Sequence, residues 1–170
     1  YKRQVQRRYQ KVVEIAPAPN LDEALRQDII AAAVRFAQSV GYSSLGTFEF
    51  LVDATGRPGA QPFVFIEANA RLQVEHTVTE QVTGVDIVQS QLRMARGESL
   101  ADLGLDDPRM AEPRGYAIQA RVNMETLEPD GSVKPGGGTL SAYDPPSGPG
   151  VRVDGFGYAG YTTSGLYDSL

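Results

Sequence analysis

The chain contains no cysteine and a single histidine, His76, in 170 residues. The first absence excludes disulfides, a cysteine nucleophile and thiolate metal ligands, and it fits a reducing compartment, so a cytoplasmic location is expected. The second excludes a metal site of clustered histidines, and any bound metal must sit on oxygen. Long apolar runs are also missing. The longest, Ile29 to Val34, falls far short of the roughly 18 residues a membrane span needs, and no signal peptide precedes the first expected helix. Neither a membrane nor a nucleic-acid partner is expected, because no basic stripe interleaved with aromatics is present. Net charge −5, with 41% hydrophobic and 22% charged residues, argues against a disordered acidic tail and for a folded chain. The chain starts at Tyr1 without methionine and stops directly after Tyr167-Asp168-Ser169, so its termini read as cut.

What is present begins with a local basic segment. Lys2, Arg3, Arg7, Arg8 and Lys11 occur before any acidic residue, and Lys11 to Ile15 reads as a short strand stopped by Pro17 and Pro19. Asn20 with Glu23 predicts a capped helix start. Leu25, Ile29, Ala32, Ala33, Phe36 and Val40 form one apolar stripe, and Gly41 is placed to end this core helix of roughly twenty residues. Leu45 to Val52 alternates as a strand, Asp53 to Gln61 is a loop, and Phe63 to Glu67 is a second strand. In such a hairpin Glu49 and Glu67 share a face whenever opposing residue numbers sum to an even value, and a sum of 116 sets them directly opposite.

Thr77 with Glu80 and Asp86 with Gln89 predict two short helices in series. Ile87, Val88, Gln91, Leu92 and Ala95 give the second its expected buried side, and Gly97 closes it. Residues 121–170 then hold ten of the eighteen glycines and five of the eleven prolines, with short strands expected at Tyr116 to Val122 and Val151 to Val153. A domain boundary is expected near residue 114, dividing the chain into 1–114 and 115–170.

The most informative stretch is Glu67 to Glu75, where every odd position is polar and every even one small or apolar. Read as extended chain, it sets Glu67, Asn69, Arg71, Gln73 and Glu75 along one face over roughly 27 Å. Carboxylate and amide oxygens at one end suit Mg²⁺ or Mn²⁺ with substrate phosphates. Arg71 offers a planar fork for a small oxyanion, and Glu75 a base acting on whatever Arg71 holds. A plain edge strand with one face in water is the alternative. His76, by parity on the other face, suits a structural or capping role. Pro135-Gly136-Gly137-Gly138-Thr139 lacks phosphate-loop spacing and reads as a turn, and Arg152 alone reads as a surface arginine.

Phe65-Ile66-Glu67-Ala68-Asn69-Ala70-Arg71-Leu72-Gln73-Val74-Glu75-His76 closely resembles the signature of biotin carboxylase, the ATP-grasp component of biotin-dependent carboxylases. Gln6 to Glu14 resembles the family's Q-R-R-x-Q-K-V-x-E segment, Gly46 to Phe50 its G-T-x-E-F strand, and Gly160-Tyr161 through Tyr167-Asp168-Ser169 its later G-Y…Y-D-S stretch. Tyr9 and Thr77 stand where many members have histidine and proline. The resemblance implies an α+β fold: the C-terminal half of an ATP-grasp fold, an antiparallel sheet with helices, followed by the start of the biotin carboxylase C-terminal domain.

It further implies ATP-dependent carboxylation of biotin by bicarbonate through carboxyphosphate, within an acyl-CoA or pyruvate carboxylase. Glu49, Glu67 and Asn69 would ligate Mg²⁺ or Mn²⁺. Gln6, Tyr9 and Leu51 would lie near the nucleotide, and Lys11 near its phosphates or the bicarbonate. Arg71, Gln73 and the backbone of Val74 would hold bicarbonate, Glu75 would deprotonate it, and Arg152 would stabilise the biotin enolate. The implied partners are a biotin carboxyl carrier protein or domain and a carboxyltransferase, with a homodimer in the full-length parent. The family's N-terminal domain and glycine-rich lid would precede Tyr1, so the chain alone is expected not to turn over ATP. Two alternatives stay open: another ATP-grasp carboxylate ligase, such as a carbamoyl phosphate synthase relative, and a non-catalytic scaffold.

Overall fold

Alternation of polar and apolar residues, interrupted by proline and glycine, builds short antiparallel hairpins that carry helices between them. A computed structural model describes residues 2–7, 10–107, 109 and 112–163. The chain divides into two compact units, Tyr1–Gln119 and Ala120–Leu170. In the first, β1 (Arg3–Arg7) pairs antiparallel with β2 (Gln10–Ala16), and β5 (Ala117–Ala120) completes this sheet on the far side of β2. The basic segment is thus itself a strand, with a register shift between Val5 and Gln6. Its partner β2 ends at a cis Ala16-Pro17 bond.

The helix α1 spans Glu23–Ser39. Its cap is Asp22, whose carboxylate accepts from the Leu25 amide at 3.1 Å, whereas Asn20, the expected cap, lies outside the helix with φ +56°. Asp22 wins because its extended backbone aims its carboxylate at the first free amides. At the other end Gly41 takes φ +60°, its amide bonds to Gln38 and that of Tyr42 to Ala37, which satisfies two otherwise orphaned carbonyls. Only Ile29 of this helix is fully buried, so the expectation of a core helix holds for one residue of the stripe.

Strands β3 (Thr47–Val52) and β4 (Phe63–Asn69) pair antiparallel, with Glu49 directly opposite Glu67. Beyond that pair the register shifts, so that Phe50 faces Phe65 rather than Ile66. An inserted residue of this kind re-aims neighbouring side chains. Phe65 stacks on Phe36 of α1 with centroids 5.2 Å apart, Phe48 meets Phe36 edge-on at 5.6 Å, and Phe50 meets both Phe63 and Phe65 at 5.7 Å.

After β4 come α2 (His76–Thr83) and α3 (Ile87–Ala95). The expected Thr77 cap is incorrect: α2 starts two residues earlier, at His76, with Glu75 at the cap position, and Thr77 is buried. The Asp86 cap on α3 forms as expected, its carboxylate accepting from the Gln89 amide at 2.7 Å. The expected buried side of α3 does not, since none of its residues is fully buried. The small core lies between Ala16, Val78 and Val82, with Ala117 against it.

The second unit holds one hairpin, β6 (Glu125–Leu127) with β7 (Val133–Pro135), and an isolated bridge from Thr139 to Thr162. No strand forms at Val151 to Val153, contrary to expectation; the glycine- and proline-rich neighbours disfavour a ladder there. The fold class is α+β with antiparallel hairpins, as expected. No helix among the described residues is long and apolar enough to cross a membrane.

In urea denaturation, Asp22→Ala should lower stability by about 1 kcal/mol through the lost cap. Asn20→Gly, at a position that already has positive φ, should change it by less than about half that. The reverse order would show that Asn20 starts the helix.

Candidate active site

Three strands from two sheets and the start of a helix deliver the charged groups. From β2 comes Lys11, whose ammonium donates to Glu49 Oε1 of β3 at 2.5 Å and also to Glu75 Oε1. From β4 come Glu67 and Asn69, the Asn69 amide donating to Glu67 Oε1 at 2.8 Å and to Glu49 Oε1 at 3.4 Å. Five of the residues singled out in the sequence, Lys11, Glu49, Glu67, Asn69 and Glu75, therefore form one connected network. Gly46 permits the close approach at its edge, because a Cβ there would stand 3.0 Å from the Tyr42 hydroxyl and 3.1 Å from the Asn69 carbonyl.

The path to Glu75 differs from the sequence expectation. Residues 67–75 are not one extended face: β4 ends at Asn69, and a turn closed by the His76 amide on the Gln73 carbonyl at 3.1 Å leads into α2. Helix initiation at His76 overrides the two-residue alternation, and Glu75 reaches the network from the cap position. His76 is structural: its Nδ1 lies 2.9 Å from the Gln73 carbonyl and its Nε2 3.9 Å from Glu80.

Other residues stand apart from this network. Arg71 is exposed and donates to the carbonyl of its neighbour Leu72 at 3.1 Å. Gln73 keeps a buried side-chain oxygen without a hydrogen-bond partner. The Val74 carbonyl accepts from Gln119 at 3.2 Å, and Leu51 is exposed. Gln6, in β1, lies opposite Lys11. Tyr9 lies outside the described residues. Arg152 belongs to the second unit and pairs with Asp154 at 2.7 Å. A cleft of about 1600 Å³ in the first unit is lined by Gln6, Lys11, Glu49, Leu51, Glu67 and Gln73, among others.

Electrostatics divide the carboxylates. Burial, the largest influence on Glu75, opposes its ionisation, but the Lys11 hydrogen bond and the charge of Lys2 prevail and hold its pKa below the ordinary range. Burial likewise disfavours charge on Lys11, yet its bonds to Glu49 and Glu75 raise its pKa. Glu14 behaves oppositely: burial pushes its pKa up, only partly offset by Lys2. Glu14 and Lys2 were not singled out in the sequence. The available signal was a carboxylate between Val13 and Ile15 in a strand whose Val13 proves exposed while Glu14 is buried.

The donor set suits a divalent cation that also holds phosphates. Two opposed carboxylates and an amide converge, while no group of three or more His, Cys, Asp or Glu side chains among the described residues forms a closed cage. The neutral Asn69 amide joins these two carboxylates, and the Lys11 ammonium meets Glu49 from the Glu75 side.

Comparison with known proteins follows the same lines. Residues 2–103 match the family described as carbamoyl-phosphate synthase L chain, ATP binding domain, and residues 119–170 match the biotin carboxylase C-terminal domain. The chain is 50% identical to pyruvate carboxylase 1 of Caenorhabditis elegans, over 98% of the chain and 14% of that relative. It is 47% identical to a biotin carboxylase of a Nostoc species, over 98% of the chain and 35% of the relative. A solved biotin carboxylase domain of a single-chain bacterial carboxylase superposes with a TM-score of 0.83 at 53% identity, over 98% of the chain and 36% of that structure. A single-chain, multi-domain long-chain acyl-CoA carboxylase gives 0.87 at 52% identity, over 98% and 17%. The chain thus spans little more than a third of these relatives at most. Matched nearly end to end by both sequence and fold, it belongs to the biotin carboxylase family, joining an ATP-binding segment of the carbamoyl-phosphate synthase type to C-terminal-domain sequence.

Proposed function

We propose that the chain supplies part of the active site of a biotin carboxylase, which carboxylates biotin with bicarbonate and ATP through carboxyphosphate. The observation that carries this reading is the Lys11 ammonium shared by Glu49 and Glu75, with Lys11 and Glu49 lining a broad open cleft. It joins a phosphate-and-metal side to a proton-accepting side within one network.

On this reading Glu75 is the general base. Kept ionised by Lys11 and Lys2, it accepts the bicarbonate proton. A bicarbonate oxygen then attacks the γ-phosphorus of ATP; the new P–O bond forms as the bond to the β-phosphate oxygen breaks, and ADP leaves with carboxyphosphate formed. Lys11 neutralises charge between base and phosphates. Arg71, Gln73 and the Val74 backbone hold bicarbonate, for which Arg71 must leave the Leu72 carbonyl. Gln6, Leu51 and Tyr9 are assigned to the nucleotide. Glu49, Glu67 and the Asn69 oxygen would hold Mg²⁺ or Mn²⁺, which would supply positive charge to offset that of the phosphates. Biotin is the substrate of the closing step, and Arg152 is assigned to its ureido group.

The proposed setting is a cytoplasmic acyl-CoA or pyruvate carboxylase, with a biotin carrier protein or domain, a carboxyltransferase and a homodimeric carboxylase module. Residues 1–114 are assigned to the ATP-grasp part and 115–170 to the C-terminal domain; the two family matches, ending at 103 and beginning at 119, support a boundary between them. The relatives named above favour biotin over another carboxylate substrate.

In a full-length carboxylase carrying this segment, Glu75→Gln should lower bicarbonate-dependent ATP cleavage by about 10² to 10⁴ while ATP binding persists. Unchanged turnover would remove Glu75 from the role. ADP release should depend on biotin; release driven equally by a different carboxylate would favour another ATP-grasp ligase. Glu49→Gln should raise the Mg²⁺ or Mn²⁺ concentration needed for half-maximal rate, as measured by metal titration.

The sign of the pH response follows from the lowered Glu75 pKa. Base function is present above the ordinary carboxylate range and is lost as pH falls through the lower folded value. Lys11→Met removes a lowering influence, so the acid limb of the rate profile should move to higher pH. A shift to lower pH would contradict the assigned electrostatics.

A further inference from the structure

A second pair of charges, Glu14 and Lys2, also meets Glu75, and the proposed chemistry uses only the influence of Lys2 on its ionisation. Glu14 of β2 is 3% exposed, and one of its oxygens has no hydrogen-bond partner. Its other oxygen lies 3.5 Å from the Lys2 ammonium. The same ammonium lies 3.4 Å from the main-chain carbonyl of Glu75 and 3.6 Å from Glu75 Oε1. Lys2 thus touches both the backbone and the carboxylate of one residue, at the point where the turn after Gln73 becomes α2.

We infer that Glu14 and Lys2 form a buried brace that positions the Glu75 carboxylate for proton abstraction, Lys2 by direct contact and Glu14 by holding Lys2. This rests on the assignment of Glu75 as the base.

The reasoning turns on why a lysine stays charged there. Burial is the largest influence on Lys2 and favours its neutral form, and the neighbouring Lys11 adds to this; Glu14 and Glu75 act against both. Removing Glu14 weakens the hold on an ammonium and leaves it poorly compensated in a desolvated place. A lysine that loses its proton, or swings out to water, releases two contacts on Glu75 at once. The groups facing Glu75 are then Lys11 alone from β2, with Glu49 beyond it on β3. Both ammonium groups meet Oε1, and Lys2 alone also holds the Glu75 main chain, so losing Lys2 leaves the residue with one anchor in place of three. Charge-assisted hydrogen bonds of this type are directional, and a misplaced base is costly to rate even when the fold survives. Glu14 and Lys2 are therefore positioning residues, acting through Glu75 rather than on substrate.

The experiment uses a full-length carboxylase carrying this segment, with bicarbonate-dependent ATP cleavage as readout and Glu75→Gln measured in parallel. Glu14→Gln and Lys2→Met should each lower kcat about tenfold, the loss expected of one charge-assisted hydrogen bond, with KM for ATP unchanged. The double variant Lys2→Met/Glu14→Leu removes both charges, leaves no unpaired buried ion, and guards against misfolding of the single variants. It should show the same tenfold loss as either single change, because both act through one contact. Wild-type turnover in the double variant, or losses that multiply, would overturn the brace. Glu75→Gln separates the two levels. If that variant cleaves ATP normally, the base assignment fails; if it is inactive while the Glu14 and Lys2 variants are fully active, only the brace fails.

Discussion

One ammonium group ties the first unit together where it matters chemically. Lys11 Nζ belongs to a β-hairpin near the start of the chain, yet its two carboxylate partners stand 38 and 64 residues away, on a second hairpin and at the start of a helix. No secondary-structure hydrogen bond connects those three elements at this point. Their relative placement around the cleft depends on a charge that burial alone would remove and that two anionic neighbours retain. The arrangement is reciprocal, since Glu75 stays ionised for the same reason that Lys11 does. Such mutual compensation is sensitive: a change to any one member leaves a buried charge with too few partners.

The β3–β4 hairpin meets this electrostatic demand while also serving a packing one. Glu49 and Glu67 must face each other in the cleft, whereas Phe48 and Phe65 must meet Phe36 on α1 and Phe50 must meet Phe65. In a regular strand Glu67 and Phe65 would share a face, because they are two residues apart. The register shift beyond Glu49 resolves the conflict by placing Phe65 opposite Phe50 while Glu67 remains opposite Glu49. One extra residue thus lets a single strand supply a carboxylate to a polar site and an aromatic ring to the α1 contact.

Legibility in the sequence followed the range of the interaction. The α1 helix, the hairpin and the parity of Glu49 with Glu67 were all readable, because local periodicity specifies them, although the α1 cap proved to be Asp22 rather than Asn20. The register shift was not, since nothing in Phe63 to Asn69 marks where an inserted residue will fall. The extended reading of residues 67–75 failed at Asn69 for a related reason: the alternation continues, but a three-residue turn at Gln73 and a helix starting at His76 are better satisfied locally. Glu14 was hidden by a sound rule. Alternation between Val13 and Ile15 implies an exposed glutamate, and only Lys2, twelve residues earlier, makes burial tolerable.

Charge balance gives the arrangement its direction. Glu14, Glu49, Glu67 and Glu75 supply four carboxylates to neighbouring positions, against the two ammonium groups of Lys2 and Lys11. The formal excess is two negative charges, and it is felt most at Glu67, the one of the four whose partner is a neutral amide, Asn69, rather than a lysine. A site with that imbalance attracts a divalent cation at one end, while its lysine-rich end favours an anion. On the proposed reading, separation of the two ends by Lys11 would let one cleft hold metal-bound phosphates beside a carboxylate that takes a proton. Without that ammonium Glu49 and Glu75 would lose the cation they share, and on the proposed reading a base drawn into metal ligation would be a weaker proton acceptor, because the metal's charge lowers its basicity.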